Sequence, residues 1–298
     1  MKTRKIILAA LDLILAVVLI VQLASGAKDT TKMIVINDEI TKVEIQTSAE
    51  NITVEKNGSA WLVNGKYEGD TGVCDAIEEA VKSVRVIDTV AKSDNEDVLA
   101  KYDLQDGKAV SVKVYTGDKL AHTYKIGKNT SAQYQTYVTI DGGKDIYLAA
   151  GDYQEDLNTT ISHVRSGTVW SLDKNDISMI SLQNENGLIT ITRNADSWAV
   201  SGAEIDIDPD QAELWASACS TITATRWITD TDQVPGSELF RIDLKVGNSN
   251  KWIYVNNAID AKDGLEVYFA KTSESSDVFE LSSYFVNKLQ KTAEELSR

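Results

Sequence analysis

Two histidines and two cysteines are the residues of this 298-residue chain best suited to nucleophilic or metal chemistry. A catalytic imidazole needs a nucleophile in reach and a partner that orients it. His122 lies in an alternating stretch, Ala121-His122-Thr123-Tyr124, and His163 in a joining segment. No spacing ties either to a serine or cysteine, so both are expected in surface or structural roles. Cys74 and Cys219 fall on two expected helices, one near its start and one well along. Outside the cytoplasm two cysteines can pair, but small buried hydrophobes are the expected role. Whether they pair is left open. Asp206, Asp208 and Asp210 begin like a calcium loop. Such a loop needs Gly sixth and Glu twelfth, where Gln211 and Ser217 stand. Asp208 is better explained as a helix cap, because Pro209 follows it.

Other motifs are weaker. Asn51-Ile52-Thr53, Asn129-Thr130-Ser131 and Asn158-Thr159-Thr160 match glycosylation acceptors, a pattern common by chance. Gly65 and Gly142-Gly143 read as turn glycines, and there is no Gly-rich phosphate loop. The carboxylates offer no pair spaced for acid/base work. The chain is therefore expected not to be an enzyme. No catalytic, cofactor-binding or metal residue is assigned. Trp61, Trp198, Trp215, Trp227 and Trp252 are candidates for sugar stacking, but their places in strands and helices predict core packing. Tyr134, Tyr137 and Tyr147, near turns, are the more plausible contact residues.

Composition bounds what these residues can serve. Hydrophobic residues make up 43% and charged residues 25%, enough apolar content for real cores. The formal charge is −15, which repels phosphate backbones, so no nucleic-acid partner is expected. At the N-terminus, Lys2, Arg4 and Lys5 precede an apolar run over 6–24. Its length suits a bilayer core, and the basic residues put its start in the cytoplasm. The expectation is a basic tip at 1–5, a transmembrane anchor at 6–24 and a body outside the cytoplasm. A cleaved signal ending at Ala24-Ser25-Gly26 is the alternative.

The body reads twice through one pattern. A hairpin over 40–54 leads to Trp61, an acidic loop, and a helix capped by Asp70 with Ile77, Val81 and Val84 on one face. A hairpin over 177–191 leads to Trp198, another acidic loop, and a helix capped by Asp208 with Ala212, Trp215 and Cys219 on one face. More strands follow in each copy, at 109–115, 121–126, 135–140 and 145–149, then at 240–246, 251–255 and 265–270. A closing helix is expected at 152–158 and again from Val278 to about Leu296. The predicted fold class is α+β. A transmembrane helix precedes two tandem repeats, 36–165 and 166–298, each a mainly antiparallel sheet with one covering helix.

Several of these segments together resemble one family. Trp61 ends a strand, and an acidic cap and a helix follow it. Tyr102-Asp103-Leu104 stands where that family tends to have Tyr-Gly-Leu-Asp. Ile126-Gly127 is followed by Tyr137-Val138 and Ile146-Tyr147. His163-Val164-Arg165 leads into the second copy. In these features the chain resembles the DUF4340 family over most of 36–290, departing from it at Asp103 and in lacking a clear Tyr-Gly-Leu segment in the second copy. The resemblance implies a bacterial membrane-anchored protein, single-pass, accessory to an ABC-type export system, with an ABC permease or auxiliary subunits as partners. It supplies no catalytic residues. The alternative expectation is an extracytoplasmic glycan- or peptide-binding module.

Overall fold

Alternation decides the strands. In 42–46 Val43 and Ile45 are buried while their neighbours stay wetter, and Ile52 and Val54 repeat the pattern, as do Val110, Val112 and Val114. Period-two segments of this kind satisfy their backbone by pairing, and short connections make the pairing antiparallel. The structure is a computed structural model and describes residues 31–131, 134–195, 197–201, 206–228, 237–257 and 266–297.

The first run of elements is β1 (Lys32–Val35), β2 (Lys42–Gln46), β3 (Asn51–Asn57), β4 (Ala60–Val63), β5 (Tyr67–Glu68), α1 (Thr71–Lys82) and β6 (Ser83–Lys92). Then come α2 (Glu96–Leu99), β7 (Val110–Thr116), β8 (Lys119–Asn129), β9 (Gln135–Ile140), β10 (Asp145–Ala150), α3 (Tyr153–Leu157) and α4 (Ile161–Val164). Asn64 and Gly65 turn β4 into β5 with φ of 51° and 64°. Both central residues of such a turn must sit left-handed, which Asn and Gly tolerate. Asp70 starts α1 by accepting from Val73 N at 3.1 Å.

The second run is β11 (Thr168–Ser171), β12 (Ile177–Asn184), β13 (Gly187–Asn194), β14 (Ser197–Val200), α5 (Pro209–Ser220), β15 (Thr221–Thr223) and β16 (Arg226–Ile228). It ends with β17 (Glu238–Val246), β18 (Ser249–Asn257), β19 (Tyr268–Thr272), β20 (Ser275–Leu281), α6 (Ser283–Leu289) and α7 (Ala293–Leu296). Asp208 caps α5 through Asp210 N at 2.9 Å, with Pro209 in the first turn, where its missing N–H costs nothing.

The ten-stranded sheet has the order β1-β6-β10-β9-β8-β7-β2-β3-β4-β5. The eight-stranded sheet has the order β14-β13-β12-β17-β18-β19-β20-β16, and β11 pairs with β15 separately. Taken strand by strand, the second order repeats β4-β3-β2-β7-β8-β9-β10-β6 of the first. The same path through an antiparallel sheet is thus followed twice.

The expected fold class is corrected in two respects. First, the structure is mostly antiparallel sheet in two large sheets, with helices as short connecting and covering pieces, so the expected α+β class does not hold. The apolar face of α1 continues at helical spacing to Val84, but Val84 and Val86 also alternate. Pairing of β6 with both β1 and β10 prevails there, as β-branched residues favour. The helix expected from Val278 starts instead as β20, and Ser282 then caps α6 by accepting from Phe285 N. Thr292 opens α7 with a reciprocal capping box to Glu295. Second, the expected anchor over 6–24 lies outside the described residues. Among the described residues no helix is long and apolar enough to cross a membrane. The longest, α1 and α5, have 12 residues each, which is about 18 Å of rise against a hydrocarbon core of about 30 Å.

The chain packs as two units. One joins the described part of 1–55 with 75–159, and the other joins 56–74 with the described part of 160–298. The stretch 56–74 therefore groups with the later residues, unlike the expected division at 165. In the second unit Trp215 of α5 is buried in one core with Phe240, Phe279, Ile242 and Leu182 of the sheet. Trp215 Nε1 donates to Leu289 O at 2.8 Å, so its one polar atom is satisfied inside the core.

Three phenols give the fold an alkaline limit. Burial pushes the Tyr124 and Tyr153 hydroxyls above the ordinary range, and a hydrogen bond to Glu266, with burial, pushes Tyr268 up to about 12. A folded pKa above the unfolded value means stability that is intact below about pH 10 and lost as pH rises from there through about 12. Spectrophotometric titration should show a late group of tyrosines ionising together with loss of circular dichroism. All eleven tyrosines ionising reversibly near pH 10, with the fold intact, would contradict this.

Candidate functional site

The sequence-predicted chemistry resolves into small structural contacts. His122 Nδ1 lies 2.8 Å from Asp141 Oδ2, and Asp141 Oδ1 accepts from Thr123 N at 2.9 Å. Asp141 has φ of 53° and begins the Asp-Gly-Gly turn that joins β9 to β10. The carboxylate thus pins β8 to that turn, with His122 near the ring of Tyr124 at 5.9 Å. His163 sits in α4, where its backbone N donates to the capping Thr160 hydroxyl at 3.3 Å. Cys74 and Cys219 are both buried and are not joined to each other in a disulfide. Burial pushes the Cys219 thiol far above the ordinary range, so it behaves as a small hydrophobe. Among the described residues no group of three His, Cys, Asp or Glu side chains is placed to hold a metal.

The first unit presents a groove of about 510 Å³ whose lining mixes polar side chains with Leu99, Leu104, Val112 and Tyr124. Strand parity builds its floor. Val112 and Ile126 face the core, so Ser111 and Lys125 face outward. Register places Gln46, Ser111, Lys125 and Thr139 opposite one another across β2, β7, β8 and β9. Segment 93–104 forms one wall, with α2 started by Asn95 accepting from Asp97 N at 2.8 Å. The three lysines are paired off separately, Lys125 with Asp106, Lys144 with Asp94, and Lys113 with Glu44 at 3.8 Å, while Glu96 also lines the groove. Hydrogen bonds from these lysines hold Asp106 and Asp94 below the usual carboxylate range. Charges neutralised pairwise around hydroxyls suit the holding of a polar chain.

Beside the groove, distant pieces of sequence meet. Gly127 lies against the Tyr102 carbonyl. A Cβ there would stand 2.2 Å from that oxygen and about 3 Å from the Leu104 side chain. Gln154 Nε2 donates to Gly127 O at 2.6 Å, and the Tyr102 and Tyr137 rings meet edge-on at 4.8 Å. Asp103 takes φ of 58° between Tyr102 and Leu104, a left-handed place where glycine is the least strained residue. Tyr147 pairs with Val138 in the adjoining strand. Residues 61–237, more than half of the chain, match the family described as Domain of unknown function (DUF4340).

The chain belongs to the DUF4340 family. It matches no curated protein and no solved structure. In this DUF4340 chain three of the segments that carry the resemblance, Tyr102-Asp103-Leu104, Ile126-Gly127 and Tyr137-Val138, meet in a packing contact at the close approach of Gly127 to 102–104.

A second cluster lies in the other unit. Arg165 ends α4 and bridges to Gly69 in the antiparallel sense, while Ser166 N donates to Glu68 O and Asp70 N to Val164 O, both at 2.8 Å. Its guanidinium lies 3.9 Å from the Tyr67 ring centre and 3.3 Å from that of Trp227. Arg165 Nη1 also donates to Asp277 Oδ2 at 2.7 Å. Trp227 is fixed in turn, because its Nε1 donates to Ser166 O at 2.9 Å. This is a clasp between 66–70, 160–166 and the β16–β20 edge. It was not apparent from sequence, and only the segment His163-Val164-Arg165 pointed near it.

The aromatics divide sharply. Trp61, Trp198, Trp215 and Trp227 are buried, as their placement predicts, and so is Trp170. Trp252 is not. Ile253 and Val255 take the dry face of β18, so Trp252 and Tyr254 stand half-buried on the wet face. Strand alternation already held that signal. Of the expected contact tyrosines, Tyr134 is 70% exposed, Tyr137 packs on Tyr102, and Tyr147 donates to Asp145 at 3.3 Å.

Proposed function

We propose that the chain is a non-enzymatic binding and scaffold module, and that the wet sheet face of its first unit holds a polar segment of a partner. One observation carries this reading: the groove floored by Ser111, Lys125 and Thr139 has each of its lysines paired with a separate carboxylate rather than converging on a single reacting point. A site built for acid/base or nucleophilic work brings its acid, base and stabilising donors to one place. The partner class, a subunit of an ABC-type export system, follows from what the family resemblance implies. A location outside the cytoplasm is part of the proposal and rests on the basic residues ahead of the apolar stretch at 6–24.

The test is affinity capture of the full-length chain from its own membranes in mild detergent, read by mass spectrometry. The expected result is enrichment of an ABC permease and ATPase by the native chain, reduced at least tenfold by Lys113→Glu with Lys125→Glu. Recovery of the bait alone, or equal capture by the double variant, overturns the reading.

A further inference from the structure

Trp252 differs from the other indoles in more than exposure. Trp170, Trp198, Trp215 and Trp227 each donate Nε1–H to a protein acceptor. Trp252 Nε1 makes no hydrogen bond to any described residue, although its backbone N donates to Ser273 Oγ at 3.3 Å. Its ring is nonetheless held. It meets Tyr254 edge-on at 5.0 Å, and the Tyr254 hydroxyl accepts from Arg241 Nη1. Arg241 is fixed by Asp243, with Nε donating to Oδ2 at 2.7 Å, and lies 4.7 Å from the Tyr254 ring centre. An aromatic face oriented before any ligand arrives loses little side-chain entropy on binding.

Beside this indole lies an open hollow of about 400 Å³ at the β19–β20 turn, lined also by Lys271, Glu274, Ser275 and Ser276. The lining carries one amine and one carboxylate, and Glu274 Oε1 also accepts from Lys251 Nζ at 2.6 Å. Lys251 thus neutralises Glu274, and Lys271 leaves one positive charge at the hollow, within a chain whose net charge is −15. Few apolar groups surround the indole, so an apolar peptide side chain would find little to pack against. A pyranose ring fits this chemistry. Its C–H face covers an indole, while its hydroxyls exchange hydrogen bonds with serine hydroxyls, an amine, a carboxylate and a free indole N–H.

We propose that the wet face of the second unit binds an oligosaccharide, with one sugar ring stacked on Trp252 and its hydroxyls reaching the 271–276 turn. This is separate from the scaffold reading, since it uses a different sheet and predicts no loss of partner capture when Trp252 is changed.

The full-length chain labelled with ¹⁵N at its six indoles gives one Nε1–H resonance for each tryptophan. It is titrated to millimolar concentration with neutral hexose and N-acetylhexosamine tetrasaccharides, and with a uronic-acid tetrasaccharide of equal length. The expected result is a saturable shift of one resonance, the one missing from Trp252→Phe, with at least one of these sugars. By calorimetry Trp252→Ala should weaken that sugar about tenfold, as loss of one aromatic contact implies, while the other five resonances stay in place. Trp252→Phe, which keeps a ring, should weaken it less. No shift with any sugar, or unchanged affinity in Trp252→Ala, overturns the proposal.

Discussion

Replacing Arg165 with alanine is expected to lower the stability of the second unit by about 3 kcal/mol, because three contacts are lost at once and one charge is stranded. The Arg165 and Asp277 side chains retain only 12% and 23% of their exposure. Breaking a fully buried pair costs about 3–5 kcal/mol, and this partial exposure lowers the share to about 2. The two ring faces, Tyr67 and Trp227, add about 1 more. Arg165→Lys should recover only part of the loss, since a point charge cannot lie flat between two rings. Arg165→Met with Asp277→Leu should recover more, because no charge is left unpaired. All six tryptophans, at 61, 170, 198, 215, 227 and 252, lie in the unit formed by 56–74 and 160–298. Tryptophan fluorescence during urea unfolding therefore reports this unit directly. An unchanged fluorescence midpoint in Arg165→Ala would show that the clasp contributes nothing.

That clasp also marks where sequence reading stops. Arg165 and Asp277 are 112 residues apart, and no periodicity links them. What alternation reveals is local. The hairpin of β2 and β3, the tryptophans of β4 and β14, and the caps at Asp70 and Asp208 follow from period, turn residues and capping chemistry in short windows. β6 and β20 were harder because their apolar residues fit either period over a few turns, and only pairing with distant strands decides between them. The anchor expectation came from length and hydropathy in 6–24, a stretch outside the described residues. The candidate sites were legible in part: the parity that buries Ile253 also exposes Trp252, whereas the groove needs four strands in register before Lys125 and Thr139 share a row.

Gly127→Ala should produce a loss of similar size in the other unit. The added Cβ would stand 2.2 Å from a backbone carbonyl, and a main-chain atom cannot swing aside as a flexible side chain does. Overpacking of this kind costs about 1–3 kcal/mol, and the backbone contact places this case near about 3. The Tyr102–Leu104 segment has to move outward, which withdraws Leu104 from the core, where it is fully buried. That same segment walls the groove. Far-ultraviolet circular dichroism should therefore show an earlier transition in Gly127→Ala, while the tryptophan fluorescence midpoint stays where it is in the native chain. Asp103→Gly should act in the opposite direction, because a left-handed residue at φ of 58° is relieved by losing its Cβ. Combining the two changes would show whether the turn can absorb the displacement. Native-like stability in Gly127→Ala alone would mean that the close approach is not a packing requirement of this fold.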